Sequence, residues 1–131
     1  MAQISSWERV ILLSHFALEK KACDLVILDL RPLSSIADYF IICTGRSDRQ
    51  VQSIAHSVEE NLSLKEIRPL SMEGLGRGHW VLMDYDDVIV HIFYQPVRHF
   101  YNLERLWFRA PRVELPEPYS QLAREFNTAN G

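Results

Sequence analysis

The chain has 131 residues, of which 47% are hydrophobic and 24% charged, and its formal net charge is −3 at pH 7. This length and composition predict one domain with a self-sufficient hydrophobic core, and they argue against a disordered, collagenous or membrane-spanning protein. Proteins that bind nucleic acid through its phosphates usually carry a surplus of Lys and Arg, so the excess of acidic residues argues against nucleic acid as the main partner.

The first third of the chain predicts one helix and two strands. Ser5 or Ser6 can cap a helix that begins at Trp7 and whose apolar residues recur at helical spacing as far as Leu18. Residues 24–30 predict a strand. Residues 38–43 predict a second strand that is apolar on both faces, so we expect helices to cover both sides of it.

A strand, a glycine turn and a capped helix follow one another in the middle of the chain. Residues 44–46 form the turn, and Ser47 with Gln50 has the spacing of a capping box at the start of a helix. This arrangement is typical of the first half of a βα crossover unit. Residues 67–72 predict a short strand, and Pro69 within it favours the edge of a sheet.

The last part of the chain predicts a hairpin, a helix and a tail. A loop with three glycines precedes the strands 80–83 and 88–93, which flank an acidic tip at 84–87. Pro96 suits the first turn of a single helix that continues to Trp107. We therefore predict an α/β (α+β) domain over residues 1–113 with a mostly five-stranded mixed sheet flanked by helices, followed by a proline-containing tail over 114–131.

Two features admit an enzymatic interpretation, and neither is specific. The turn at Gly45 and Ser47 opens a helix that could hold a phosphate, but phosphate-binding loops carry more glycines. Asp84 and Asp86 have the spacing of magnesium-binding carboxylates, but they lie at a hairpin tip, where a solvated turn is the simpler explanation. The five histidines show no metal-ligand spacing, and we expect His91 to be a hydrogen-bonded core residue.

The predicted last helix carries more large apolar residues than one buried stripe can hold. The excess favours a protein interface, in which aromatic residues and arginine contribute most of the binding energy. Four arginines lie in the same region with only Glu104 opposing them, so a peripheral contact with RNA stays open beside a solvated helix face. They are Arg98, Arg105, Arg109 and Arg112.

Three blocks of the sequence resemble the ribosomal silencing factors, also called the Iojap family. The first block is residues 34–51, with the sequence SSIADYFIICTGRSDRQV. The second block comprises residues 80–85 and 87–93, and the third block is Arg98 together with residues 100–107. The resemblance covers about residues 22–113, and the order of the three blocks makes it specific.

The resemblance implies a nucleotidyltransferase-like fold without catalysis. It implies a factor that binds the large ribosomal subunit through ribosomal protein L-fourteen, blocks association with the small subunit and represses translation when nutrients are limited. No catalytic residue, metal or cofactor is expected. The residues that the resemblance assigns to partner binding are Trp80, Asp84, Tyr101, Leu103, Glu104 and Leu106.

Two hypotheses follow. The favoured one is a non-enzymatic translation repressor that occupies a protein surface, and the alternative is a nucleotide-binding or nucleotidyltransferase-type enzyme. Neither Cys23 nor Cys43 belongs to a CxxC motif and no signal peptide is visible, so we expect reduced, buried thiols and a cytoplasmic protein without a membrane contact. The sequence leaves open whether the free protein forms a homodimer. We expect the tail to be dispensable for subunit binding, because it offers little apolar area with which to dock.

Overall fold

A computed structural model describes residues 4–127 as a mixed sheet with helices on both faces. The helices are α1 (Ser6–Glu19), α2 (Asp48–Leu64), α3 (Gln95–Tyr101), α4 (Leu103–Leu106) and α5 (Tyr119–Glu125). The strands are β1 (Cys23–Asp29), β2 (Tyr39–Gly45), β3 (Ser71–Glu73), β4 (Trp80–Asp84), β5 (Val88–Tyr94) and β6 (Arg112–Val113). The order across the sheet is β3-β4-β5-β2-β1-β6, with β2 and β5 parallel and the other neighbours antiparallel. The predicted fold class is confirmed, and two-residue β6 is an additional strand.

Side-chain caps fix the start of both long helices. The Ser5 hydroxyl accepts a hydrogen bond from the Glu8 amide at 3.1 Å, and the Ser47 hydroxyl accepts one from the Gln50 amide at 3.1 Å. The Gln50 side chain in turn accepts from the Arg46 amide at 2.7 Å, one residue before the helix cap. These bonds satisfy amides that have no partner within the helix, which is why both starts could be read from the sequence.

One face of the sheet, here called the sealed face, packs against α1 and α2. Alternate residues of each strand point to this face. Ile41, Val81 and Ile92 from the three middle strands are fully buried there, beside Leu13 of α1 and Ile54 of α2. All seven residues of β2 are buried, which confirms the expectation that β2 is covered on both sides.

The opposite face of the sheet is covered in part by α3 and α4. Leu103 and Trp107 pack there against a second buried cluster that includes Phe40 and Phe93. Beyond these helices lie Trp80, Leu82 and Asp84 of β4, all half-buried, while Val81 and Met83 between them are buried on the sealed face. The half-buried set Trp80, Leu82, Asp84 and Ile89 is here called the open face.

The single last helix predicted over residues 96–107 is wrong, because the chain forms two helices. Asn102 adopts the left-handed conformation, with φ 46° and ψ 58°, and caps α3 through its amide. Asparagine tolerates this conformation better than most residues. Leu103 and Trp107, which follow the break, both pack against the second buried cluster.

The tail has more apolar contact with the domain than we expected. Leu115 is buried, and Tyr119, Leu122 and Phe126 pack against the same core as α1. The expectation of little apolar docking area is therefore wrong, because the proline-rich segment returns α5 to the sealed side of the sheet. Residues 1–3 and 128–131, which the predicted domain and tail include, lie outside the described residues.

The short edge strand begins later than predicted. β3 covers Ser71–Glu73, whereas Pro69 and the residues before it are outside the strand. β3 lies at the edge of the sheet, as the proline indicated. Among residues 4–127, the helices are too short or too polar to cross a membrane.

Candidate partner-binding face

Trp80 is the largest side chain of the open face. Its ring packs on Phe93, the directly opposite residue of β5, with 4.8 Å between centroids. The Tyr101 ring at the end of α3 lies 4.9 Å from it on another side. The indole is half-buried, so it is supported from below and still presents part of its surface. This is the geometry of a rigid aromatic anchor.

The Trp80 indole also makes a polar contact inside the sheet. Its Nε1–H donates a hydrogen bond to Nδ1 of His91 at 3.2 Å. His91 is 4% exposed, and burial lowers its pKa to about 4, which keeps the imidazole neutral near pH 7. The prediction of a hydrogen-bonded core histidine is confirmed, and its partner is the candidate interface residue itself.

Asp84 ends β4 and organises the acidic turn. One of its carboxylate oxygens accepts a hydrogen bond from the Asp86 amide at 2.8 Å. Asp86 is exposed and has φ 74°, a conformation that glycine adopts most readily. Asp87 pairs with Arg9 of α1 at 2.7 Å, and the same arginine donates to the carbonyl of Tyr85 at 3.1 Å. These bonds hold the turn in place, and Asp84 lies at the rim of the open face, opposite Ile89.

Tyr101 and Leu106 are the predicted site residues with the greatest exposure. Tyr101 is 52% exposed although its ring contacts Trp80, and Leu106 is 75% exposed on α4. Phe100 on α3 and Phe108, two residues after α4, are exposed as well. An exposed cluster of large apolar side chains is typical of a surface that a partner covers.

Leu103 and Glu104 have roles inside the molecule. Leu103 packs on the second buried cluster, and Glu104 accepts hydrogen bonds from Arg98 Nε at 3.3 Å and from Nη2 at 3.0 Å. Arg98 Nη1 also donates to the Asp24 carbonyl and to the Thr44 hydroxyl, both at 2.7 Å. Arg98 thus joins α3 and α4 to the sheet, and it is not part of a solvated basic stripe.

The glycine turn that could have held a phosphate has a packing explanation. A Cβ on Gly45 would lie 2.8 Å from Val51 Cγ2 and 2.9 Å from the Val51 amide nitrogen, so the glycine permits the close approach of α2 to β2. The amides of Arg46 and Gln50 already have side-chain partners. Asp48 adds a negative charge to the first turn, where it opposes a bound anion.

The described part of the chain has neither a metal-binding cluster nor a reactive thiol. Residues 4–127 hold no group of three or more His, Cys, Asp or Glu side chains that could bind a metal ion. Cys23 and Cys43 are free and buried, as predicted, and burial raises the pKa of the Cys43 thiol to about 12. A thiol with such a pKa is a poor nucleophile at neutral pH.

Three residues of this region were not assigned to the partner-binding face from the sequence. Leu82 and Ile89 belong to the open face, and His91 lies beneath Trp80. Strand alternation from Trp80 would have placed Leu82 on the same face. The contribution of Ile89 and His91 depends on the register between β4 and β5, which pairs Asp84 with Ile89 and Leu82 with His91.

The family model described as "Ribosomal silencing factor during starvation" matches residues 3–130. A protein of Bacillus subtilis named ribosomal silencing factor RsfS is 44% identical over 97 residues, which are 74% of this chain and 82% of that protein. A Mus musculus protein named mitochondrial assembly of ribosomal large subunit protein 1 is 25% identical over 92 residues, 68% of this chain and 40% of that protein.

A solved structure shows the same fold. The crystal structure of a Bacillus halodurans protein superimposes with a TM-score of 0.72 and 39% sequence identity. The match covers 82% of this chain and 99% of that one. A solved structure of a related protein therefore has the same overall fold as this chain.

Proposed function

Because the chain belongs to the family of ribosomal silencing factors, we propose that it binds the large ribosomal subunit through ribosomal protein L-fourteen and sterically blocks association with the small subunit. Translation is thereby repressed under nutrient limitation or in stationary phase. The family places the chain in ribosome silencing and translation regulation. The partner protein and the steric mechanism are the proposal.

The observation that carries the proposal is the open face. Trp80 is held by Phe93 and Tyr101 and keeps part of its surface exposed, so little conformational entropy is lost when a partner covers it. Leu82 and Ile89 provide adjacent apolar surface. We propose that Trp80, Asp84 and Tyr101 form the centre of the contact and that Leu106 extends it, while Leu103 and Glu104 support α4 from inside.

Charge favours a basic protein as the partner. Asp84 lies at the rim of the open face, and Glu73 is exposed on the neighbouring edge strand, in register with Leu82. The whole chain is acidic, with a net charge of −3. Complementary charge speeds the encounter with a basic ribosomal protein, whereas an acidic surface repels bare ribosomal RNA. A peripheral RNA contact would use the exposed arginines of the predicted set, which are Arg105, Arg109 and Arg112.

We propose that the mechanism is occupancy and not catalysis, in the cytoplasm and with no membrane contact. Relatives are named as silencing factors, and steric exclusion needs no catalytic group. The Gly45 turn is occupied by its own side-chain caps, as described above. Turnover of a nucleoside triphosphate by the purified protein, lost on Asp84→Asn with Asp86→Asn, would contradict this proposal in favour of the nucleotidyltransferase alternative.

Trp80→Ala tests the proposed contact. Loss of an aromatic anchor should weaken binding to purified large subunits by about 30- to 1000-fold, or roughly 2–4 kcal/mol. Thermal unfolding of the same variant must show a cooperative transition, so that loss of binding is separated from loss of folding. Subunit joining, followed by light scattering, should no longer be inhibited by the variant.

One charge variant and one pair of leucine variants test the contact further. Asp84→Asn keeps the oxygen that accepts from the Asp86 amide and removes the charge, so it should weaken binding while leaving the turn in place. Leu106→Ala should weaken binding, whereas Leu64→Ala, at an equally exposed leucine on α2, should not. Normal binding by a folded Trp80→Ala protein would place the contact elsewhere on the molecule.

A further inference from the structure

We propose that His91 is a positioning residue that holds the Trp80 indole in the orientation required for partner binding. The inference rests on the proposed function of Trp80 and assigns a role to a residue that the partner does not touch, because His91 is 4% exposed. His91 acts through one hydrogen bond, from Trp80 Nε1–H to His91 Nδ1, at 3.2 Å.

The ring contacts and the hydrogen bond constrain different motions of the indole. Phe93 and Tyr101 limit the tilt of the ring plane, with centroids 4.8 and 4.9 Å away. Such contacts are compatible with a ring that has turned over, because both faces of an indole are apolar. The bond to His91 distinguishes the two edges of the indole, since only one of them carries the N–H group. It therefore selects which edge faces the sheet and which faces a partner.

His91 is itself held in place from several sides. Its ring meets Phe40 edge to face, with 4.7 Å between centroids and 72° between planes. Its neighbours in register are Leu82 on β4 and Ile42 on β2. An acceptor in a central strand, packed against a buried aromatic ring, is a more rigid reference than any side chain on the surface.

Packing alone does not explain a histidine at this position. Since Nδ1 accepts the bond from Trp80, the proton of the neutral ring is on Nε2. Nε2 is buried, and the described residues offer it no hydrogen-bond partner. A buried donor without a partner costs free energy that a leucine of similar size would avoid. Burial lowers the pKa of His91 to about 4, so Nδ1 keeps its lone pair and remains an acceptor near pH 7.

His91→Leu separates positioning from packing. The variant should bind large subunits about three- to tenfold more weakly, because Trp80 must then be ordered on binding instead of beforehand. Its thermal midpoint should equal or exceed that of the wild type, since an unpaired buried donor has been removed. The Trp80 indole N–H resonance, identified by its absence in Trp80→Phe, should shift toward the position of a group bonded to water.

Two further variants test whether the hydrogen bond is the cause. His91→Asn offers an oxygen at the place of Nδ1, so it should restore binding to within about twofold of wild type even though the smaller side chain lowers the thermal midpoint. Trp80→Phe keeps the ring stack and lacks the N–H group. In that background His91→Leu should have no further effect on binding, which a double-mutant cycle measures directly.

The outcomes distinguish this inference from the proposed function. If Trp80→Ala loses binding but His91→Leu binds like wild type, the positioning role is wrong and the contact at Trp80 stands. If folded Trp80→Ala binds like wild type, the contact itself is wrong, and the positioning role fails with it. A His91→Leu protein that melts below wild type, or an equal loss of binding with and without the Trp80 N–H group, would make His91 a packing residue and overturn the inference.

Discussion

The two faces of this sheet are built from the same strands and have different composition and coverage. On the sealed face, α1 and α2 bury an apolar layer in which Ile41, Val81 and Ile92 have no exposed surface. The opposite face buries Phe40 and Phe93 and leaves Trp80 and Leu82 partly exposed. The sealed face stabilises the fold. The opposite face contains polar contacts that hold the side chains of the proposed binding surface in place.

The difference between the two faces shows how buried side chains can fix the position of a residue that a partner contacts. Trp80 stands on Phe93, which is fully buried, so the anchor rests on a rigid layer. The polar residues near it are used inside the molecule: His91 accepts a hydrogen bond from the indole, and Arg98 holds Glu104 across the break between α3 and α4. A close-packed core transmits this rigidity to the surface.

The largest expected effect contrasts a residue of each face. Ile41→Ala should lower the free energy of unfolding by about 2–5 kcal/mol, because a fully buried side chain is replaced by a cavity. Binding by the folded fraction should not change. Leu82→Ala should cost less stability than Ile41→Ala, about 1 kcal/mol, because the side chain is already partly exposed, and should weaken binding by about 1–2 kcal/mol.

Urea denaturation and large-subunit binding, measured on the same preparations of Ile41→Ala and Leu82→Ala, check this contrast. The reverse pattern, in which Ile41→Ala binds poorly when folded and Leu82→Ala binds normally, would show that the two faces are not functionally distinct.

The next effect concerns the pH dependence of the free energy of unfolding, and it involves His91 beside the open face. The pKa of His91 falls from 6.5 to about 4 on folding, because burial disfavours the charged ring. Between these values the unfolded chain binds a proton that the folded chain does not. The free energy of unfolding should therefore be highest above pH 6.5 and fall by about 3 kcal/mol as the pH is lowered to 4.

His91→Leu provides the reference for this pH dependence. Urea denaturation at several pH values should show a smaller loss of stability for His91→Leu than for the wild type. Two curves that fall in parallel would mean that other groups cause the loss.

The smallest effect separates the tail from the open face. Truncation after Val113 removes Leu115 and α5, which pack on the sealed side against α1 and β1. The chain should lose about 1–2 kcal/mol of stability, because the apolar burial is largely offset by the ordering of the segment. Binding to large subunits should remain within about threefold of the full chain, since β1 lies at the opposite side of the sheet from β4. A loss beyond tenfold would place the tail in the contact.

Features that depend on near neighbours in sequence could be predicted. Ser5 and Ser47 cap helices through residues three positions ahead, and the acidic tip joins two strands that follow each other. The family resemblance assigned Trp80 to partner binding, and its place at the start of a strand after a glycine loop agrees with a partly exposed ring. The site residues of the open face remain predictions until they are tested by mutation.

Features that depend on tertiary contacts could not be predicted. Apolar residues continue at helical spacing through Asn102, and the break is favoured by the bonds of Arg98 to Glu104 and to the sheet. β6 is a two-residue strand defined only by its pairing with β1. The bond between Trp80 and His91 requires the register of β4 against β5, which no local pattern specifies.

Both edges of the sheet end in very short strands, three residues in β3 and two in β6. A long edge strand is a template on which another chain can add, and this is a common origin of aggregation. Prolines precede both strands, at positions 69 and 111, and Gly74 follows β3 with φ 85°. The protein can therefore expose a tryptophan and neighbouring aliphatic side chains without also offering backbone for strand addition. Recognition is left to side-chain shape and charge, which discriminate between partners, whereas backbone pairing is open to almost any extended chain.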